Sequence, residues 1–113
     1  MFSRLERRER GDRVAAAMRA HPRLIAGAGA TDTVLMESLP GWVAKGGAEG
    51  LLCIAGPDGL GVALKAADGA FRALGPAAHV FLARLGHDPP GALARVPVRN
   101  SRDEEVGEIV ADT

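Results

Sequence analysis

A chain of 113 residues, 47% of them hydrophobic, has room for one modest core, which excludes a large multidomain enzyme. Its 14 basic and 14 acidic residues cancel, which argues against a polycationic nucleic-acid binder. The single cysteine, Cys53, rules out an intrachain disulfide and a thiolate-rich zinc site built by this chain alone.

The charge is unevenly placed. Residues 1–23 carry seven Arg against three acids, while residues 101–113 carry one Arg against five acids. The stretch "RLERRERGDR" intersperses Glu among its Arg, so it reads as a solvated helix start and not as a nucleic-acid stripe. No apolar run approaches the roughly 20 residues that cross a bilayer, and charge enters too early for a secretory leader. Cytoplasmic residence without membrane or nucleic-acid partners is the expectation.

In chain order, "DRVAAAMRA" is Ala-rich with Val14 and Met18 four apart, which predicts a helix from Asp12 to Ala20 with Asp12 as its N-cap. His21-Pro22 ends it, because a residue before proline avoids helical dihedrals. A short apolar run enters the Gly-rich loop "GAGATD", and a second helix is expected over Thr31 to Glu37, capped by Thr31 or Asp32. Three short strands follow in "WVAKGG", "GLLCIAG" and "LGVALKA". Pro57-Asp58-Gly59 supplies a turn between the last two, giving an antiparallel hairpin from Leu51 to Ala66. Helical spacing of Phe71, Leu74, Ala78, Phe81 or Leu82, and Leu85 predicts another helix, kinked or restarted at Gly75-Pro76 and stopped by Gly86. After a loop through Pro89-Pro90, Val96–Arg99 and Glu105–Val110 read as strands around a polar turn. The whole is an α+β fold, an antiparallel sheet flanked by helices, in a single domain spanning 1–113. Its first helix starts almost at Met1, which leads us to expect the later part of something larger.

Chemistry-bearing motifs are sparse. Neither "GAGATD" nor "AKGGAEG" has the residue order of a nucleotide-binding loop. His21, His79 and His87 lack metal-ligand spacing, and Ser3, Ser38 and Ser101 sit in no nucleophile elbow and precede no Lys by three residues. Cys53, among Leu51, Leu52 and Ile54, reads as a small core hydrophobe. That leaves Lys45 at the end of a strand before Gly46 and Gly47, which lack the side chains that would block an approaching substrate. Its amine could act as a base if desolvated, or as a cation holding a carboxylate. The plain alternative is a surface lysine beside a turn.

Four segments together, "MRAHPRLIAGAGATDTVLM", "LPGWVAKGGAEGLLCI", "GLGVALKAADGAFRA" and "VRNSRDEEVGEI", resemble the C-terminal part of the thermolabile bacterial L-asparaginases, the asparaginase II family. The resemblance spans about Arg13 to Val110. It implies a partial fold of the serine β-lactamase and glutaminase type, and hydrolysis of the small amide L-asparagine to aspartate and ammonia. Those enzymes pair a Ser-x-x-Lys nucleophile with a later Lys-x-Gly strand. On that pattern "AKGG" is the second wall: Lys45 would activate a serine or polarise the amide, with Gly46 and Gly47 beside it. Glu49 and Gly50 would shape the next turn, Asp32 and Thr33 match the family's Asp-Thr near the cleft, and Gly46, Gly47, Glu49, Asp32 and Thr33 are the substrate-binding residues that the resemblance implies.

Two departures bear on function. Ala30-Thr31-Asp32-Thr33-Val34 stands where the family has Arg-Phe-Asp-Thr-Asp, and the Ser-x-x-Lys motif and the family's zinc-binding Cys and Lys residues have no counterpart here, so no metal role falls on Cys53. The resemblance therefore implies a truncated amidohydrolase, inactive alone and without a cofactor, completed by a missing N-terminal half or paired as a homodimer. The alternative is a non-catalytic interaction or oligomerisation module.

Overall fold

A computed structural model describes residues 3–112. Helix α1 runs Arg4–Ala20, α2 Arg23–Ala26 and α3 Thr31–Ser38; strands β1 (Val43–Gly47), β2 (Leu51–Ala55) and β3 (Gly61–Lys65) follow. Helix α4 (Leu74–Arg84) and strands β4 (Arg95–Arg99) and β5 (Glu105–Val110) complete the chain. The α+β expectation holds, but the strands divide into a three-stranded sheet ordered β1-β2-β3 and a separate β4-β5 ribbon. No helix among the described residues is long and apolar enough to cross a membrane.

Asp12 is not an N-cap. The helix starts at Arg4, and its N-cap is Ser3, whose hydroxyl accepts from Glu6 N–H while the Glu6 carboxylate accepts from Ser3 N–H. This reciprocal capping box satisfies two end donors that would otherwise need water. The Ser3 backbone and hydroxyl contacts hold the Glu6 carboxyl below its ordinary value. A lowered native pKa stabilises the helix start above the ordinary glutamate pKa of about 4.3, and the contribution fades as pH falls through the native value. Ser3→Ala should speed amide exchange over the first turn of α1 by about fivefold at neutral pH, with less difference from wild type in acid. An unchanged exchange profile would remove the capping box from the account.

The β2-β3 hairpin forms as expected, from Leu51↔Lys65 to Ala55↔Gly61. Gly59 takes a positive φ of 91° in its turn, the conformation for which glycine carries no Cβ penalty. Period-two alternation then sorts the strands into two faces. Ala44, Leu52, Ile54 and Val62 point inward and are buried with Leu35, Met36 and Leu39 of α3 and Leu74, Ala78 and Leu82 of α4. Cys53, opposite Lys45 on β1 and Ala63 on β3, therefore points outward and is exposed. Its sequence reading as a core residue is corrected by this alternation: its neighbours Leu52 and Ile54 occupy the core side.

Helix α4 restarts after a 3-10 turn over Phe71–Ala73, with Pro76 in its first turn, where a missing N–H costs nothing. Leu74, Ala78 and Leu82, four apart, face the sheet, while Phe71, Phe81 and Leu85 are exposed; the expected apolar stripe is narrower than its spacing suggested. Gly86 closes the helix with φ at 88°; its N–H donates to Ala83 and the His87 N–H to Leu82, the paired bonds of a Schellman cap. His87 then meets Trp42 edge to face, ring centroids 4.7 Å apart.

Candidate functional site

Two short segments meet at the free edge of β1. An edge strand leaves outward backbone groups without a strand partner, and here side chains take them. Gly46 N–H donates to Asp32 Oδ2 at 2.6 Å, and Lys45 Nζ donates to the Gly46 carbonyl. Asp32 comes from the first turn of α3 and is only 4% exposed. Neither Asp32 nor Thr31 caps that helix: the N-cap is Ala30 and carries no side-chain bond. The expectation failed because Asp32 spends its oxygen on β1 instead, while its charge still sits at the favourable end of the helix.

Thr33, beside it and 1% exposed, donates its hydroxyl to the Gly27 carbonyl at 2.6 Å. That bond ties α3 to the glycine loop behind it. Asp32 and Thr33 thus lock "GAGATD" against β1 from two sides, one holding the strand and the other the loop.

Between loop and strand lies an open cleft of about 710 Å³, whose lining includes Thr31, Asp32, Lys45, Gly46, Gly47 and Phe71. The structure brings together Lys45, Gly46, Gly47 and Asp32 from the sequence reading. Thr33 and Glu49 are not part of the lining. Glu49 lies in the β1-β2 turn with a positive φ of 62°, and its carbonyl accepts from Lys65 Nζ at 2.5 Å. Its backbone thus lies in the turn, outside the cleft lining.

Phe71 and Thr31 were missed as cleft residues. Phe71 covers Gly46 so closely that a Cβ added at Gly46 would lie 2.9 Å from the ring; Gly46 thus needs its missing side chain. Nothing local signals this, because Phe71 is 25 positions downstream and reads as one more apolar residue of a helix. The cleft combines one cation, one buried carboxylate, a hydroxyl and an aromatic wall. Among the described residues no three His, Cys, Asp or Glu side chains could hold a metal ion together, so this donor set does not fit the zinc that the resemblance implies for the family.

The edge strand of this α+β chain thus presents a lysine and two glycines to a cleft. The L-asparaginase II family model matches residues 2–111, and the chain belongs to that family. No curated protein matches it.

Proposed function

We propose that this chain is an asparaginase-type amidohydrolase wall, acting on the amide of L-asparagine once a nucleophile is supplied. The observation that carries the reading is the joint placement of Lys45, Gly46, Gly47 and Asp32 around one cleft. Acyl transfer needs a nucleophile, a base and donors for the developing oxyanion in one constellation. Lys45 is exposed at the cleft: as an ammonium it can polarise the amide oxygen, and as a neutral amine it can take a proton from the nucleophile and return it to the leaving group. Gly47 adds no side chain to the cleft wall, while the space over Gly46 is taken by Phe71. The three serines, Ser3, Ser38 and Ser101, are absent from the cleft lining, so the serine of a Ser-x-x-Lys motif would come from outside this chain, in a fold of the β-lactamase and glutaminase type.

On this reading the purified chain releases no ammonia from L-asparagine above the buffer rate. Ammonia release that Lys45→Ala abolishes would overturn the need for an external nucleophile. Release that Lys45→Ala leaves intact would overturn the role of Lys45 itself.

A second reading, a non-catalytic interaction or oligomerisation module, draws on one observation: the outer face of the sheet exposes Cys53, Ala55 and Ala63. Light scattering separates the two, since a module of that kind self-associates or captures a partner, and a monodisperse monomer without one counts against it.

A further inference from the structure

The two edges of the three-stranded sheet are treated differently. Along β1 the outward N–H and carbonyl of Gly46 are taken by Asp32 and Lys45. Gly46 therefore turns away from β2, which leaves its register partner Leu52 to bond to Leu64 on the other side. The ends of β3 agree, since Gly56 N–H donates to the Leu60 carbonyl and Ala66 N–H to the Gly50 carbonyl. Successive residues of an antiparallel ladder turn their backbone groups to opposite sides. Val62 and Leu64 thus bond to β2, whereas Gly61, Ala63 and Lys65 present their N–H groups and carbonyls to the free edge of β3. Among the described residues nothing accepts from or donates to that row. No proline or bulge interrupts it, although these are common defences of an exposed edge. The single charged side chain, Lys65, is turned back, its Nζ donating to the Glu49 and Ala66 carbonyls at 2.5 and 2.7 Å.

We propose that the free edge of β3 is a docking surface for a second copy of this chain, which adds its own β3 antiparallel about a two-fold axis at Ala63. The inference rests on the interaction-module reading and gives it a surface; β1 and its cleft lie at the opposite edge of the sheet and stay open. In this register the strand complements itself. Ala63 exchanges hydrogen bonds with the partner's Ala63, Gly61 with the partner's Lys65 and Lys65 with the partner's Gly61, so every outward group on both strands is used. A shifted register would strand groups at the ends. The side chains fit the same pairing. A two-fold axis perpendicular to the sheet keeps its faces on the same sides, so buried Val62 and half-buried Leu64 meet the partner's Leu64 and Val62 and carry the core across the junction. On the outer face Ala63 meets its own copy, and Lys65 stands beside a glycine. The two lysines lie about 13 Å apart along the strands, each with its ammonium held by its own carbonyls, so like charges do not collide. Each copy uses this edge once, which closes the assembly at a dimer.

The test follows the intact chain by sedimentation from about 1 μM to about 500 μM, a range that brackets a weak association through one strand. A monomer–dimer equilibrium is expected, with amide exchange at Ala63 and Lys65 slowing as concentration rises. Ala63→Pro removes an N–H that the monomer does not use, on an edge where proline is tolerated, and should weaken the dimer at least about tenfold. Ala63→Lys and Ala63→Glu each set like charges opposite one another and should weaken it about fivefold, whereas an equimolar mixture of the two should regain the wild-type level. Their side chains lie on the exposed outer face, so these variants decide the matter should the proline variant fail to fold. Recovery on mixing requires a two-fold axis at Ala63. A dimer that Ala63→Pro leaves unchanged, charge variants that do not recover together, or growth beyond a dimer would overturn the β3 pairing while leaving the module reading standing. A monomer at every concentration would overturn the pairing and count against the module as well, with the amidohydrolase reading of the cleft untouched.

Discussion

Gly50→Ala is expected to lower stability by about 3 kcal/mol, with a drop in Tm of about 10–15 °C. Gly50 ends the turn between β1 and β2 with φ at 68°, and a Cβ added there would lie 2.8 Å from the Gly69 carbonyl carbon and 2.9 Å from Ala66 Cβ. Two costs combine. A side chain in the left-handed region costs about 1–2 kcal/mol, and pushing against backbone adds about 1–3 kcal/mol because no flexible side chain can yield. The collision partner matters: Gly69 and Ala66 belong to the segment that leaves β3, and the Ala66 N–H donates to the Gly50 carbonyl at 2.8 Å. Forcing them apart loosens the turn that aims Lys45 and Gly46, so ligand binding at the cleft should weaken along with the fold.

Gly59→Ala is the control. Its φ is 91°, but nothing lies within 4 Å of the added atom, so only the backbone term of about 1–2 kcal/mol remains. Equal losses in the two variants, measured by urea unfolding, would mean that the packing of Gly50 against Gly69 contributes nothing. The adjacent Glu49 gives the converse. It holds a positive φ of 62° without being glycine, and its backbone carbonyl, not its side chain, is what Lys65 uses.

What was legible in the sequence follows from how far each signal reaches along the chain. The β2-β3 hairpin announced itself because Pro57-Asp58-Gly59 and both strands lie within 16 residues, and a turn acts through its own dihedrals. Gly86 stopped α4 for the same local reason. Lys45-Gly46-Gly47 was readable as a strand end facing a cleft, since the absence of side chains is written in the residues themselves. Asp32 was misread as a cap because its partner, Gly46 N–H, is 14 positions away; local rules offered the helix end and tertiary structure took the oxygen elsewhere. The long first helix was cut short at Asp12 because its N-terminal half buries nothing. A hydrophobic period cannot report a helix held by its capping box and charge pattern. Phe71 illustrates the limit most plainly: its function is to fill the space that Gly46 leaves, a relation between two residues that no window of sequence contains.

The second large effect is expected at neighbouring residues that differ only in the face they present. Leu52→Ala should cost about 3–4 kcal/mol, within the range for buried leucines, because Leu52 is fully buried on the middle strand, in one core with the equally enclosed Leu35 and Leu82. Against a total stability of about 5–15 kcal/mol, that loss removes a large share and should lower the unfolding midpoint in urea accordingly. Cys53→Ala, one residue along on the same strand, should change stability by no more than about 0.5 kcal/mol, because its side chain is exposed and truncation leaves no cavity. The contrast tests the alternation on which the site depends: if β2 were slipped by one residue, the costs would exchange, and Cys53 would leave its place opposite Lys45 and turn into the core. A large loss at both positions has a different meaning. It would show that the outer face is covered in solution, and the covering body would then stand over Lys45 as well as Cys53, where an external serine would have to arrive. Measuring the pair at two protein concentrations separates these outcomes, since a slipped register is independent of concentration whereas a face covered by a second copy is not.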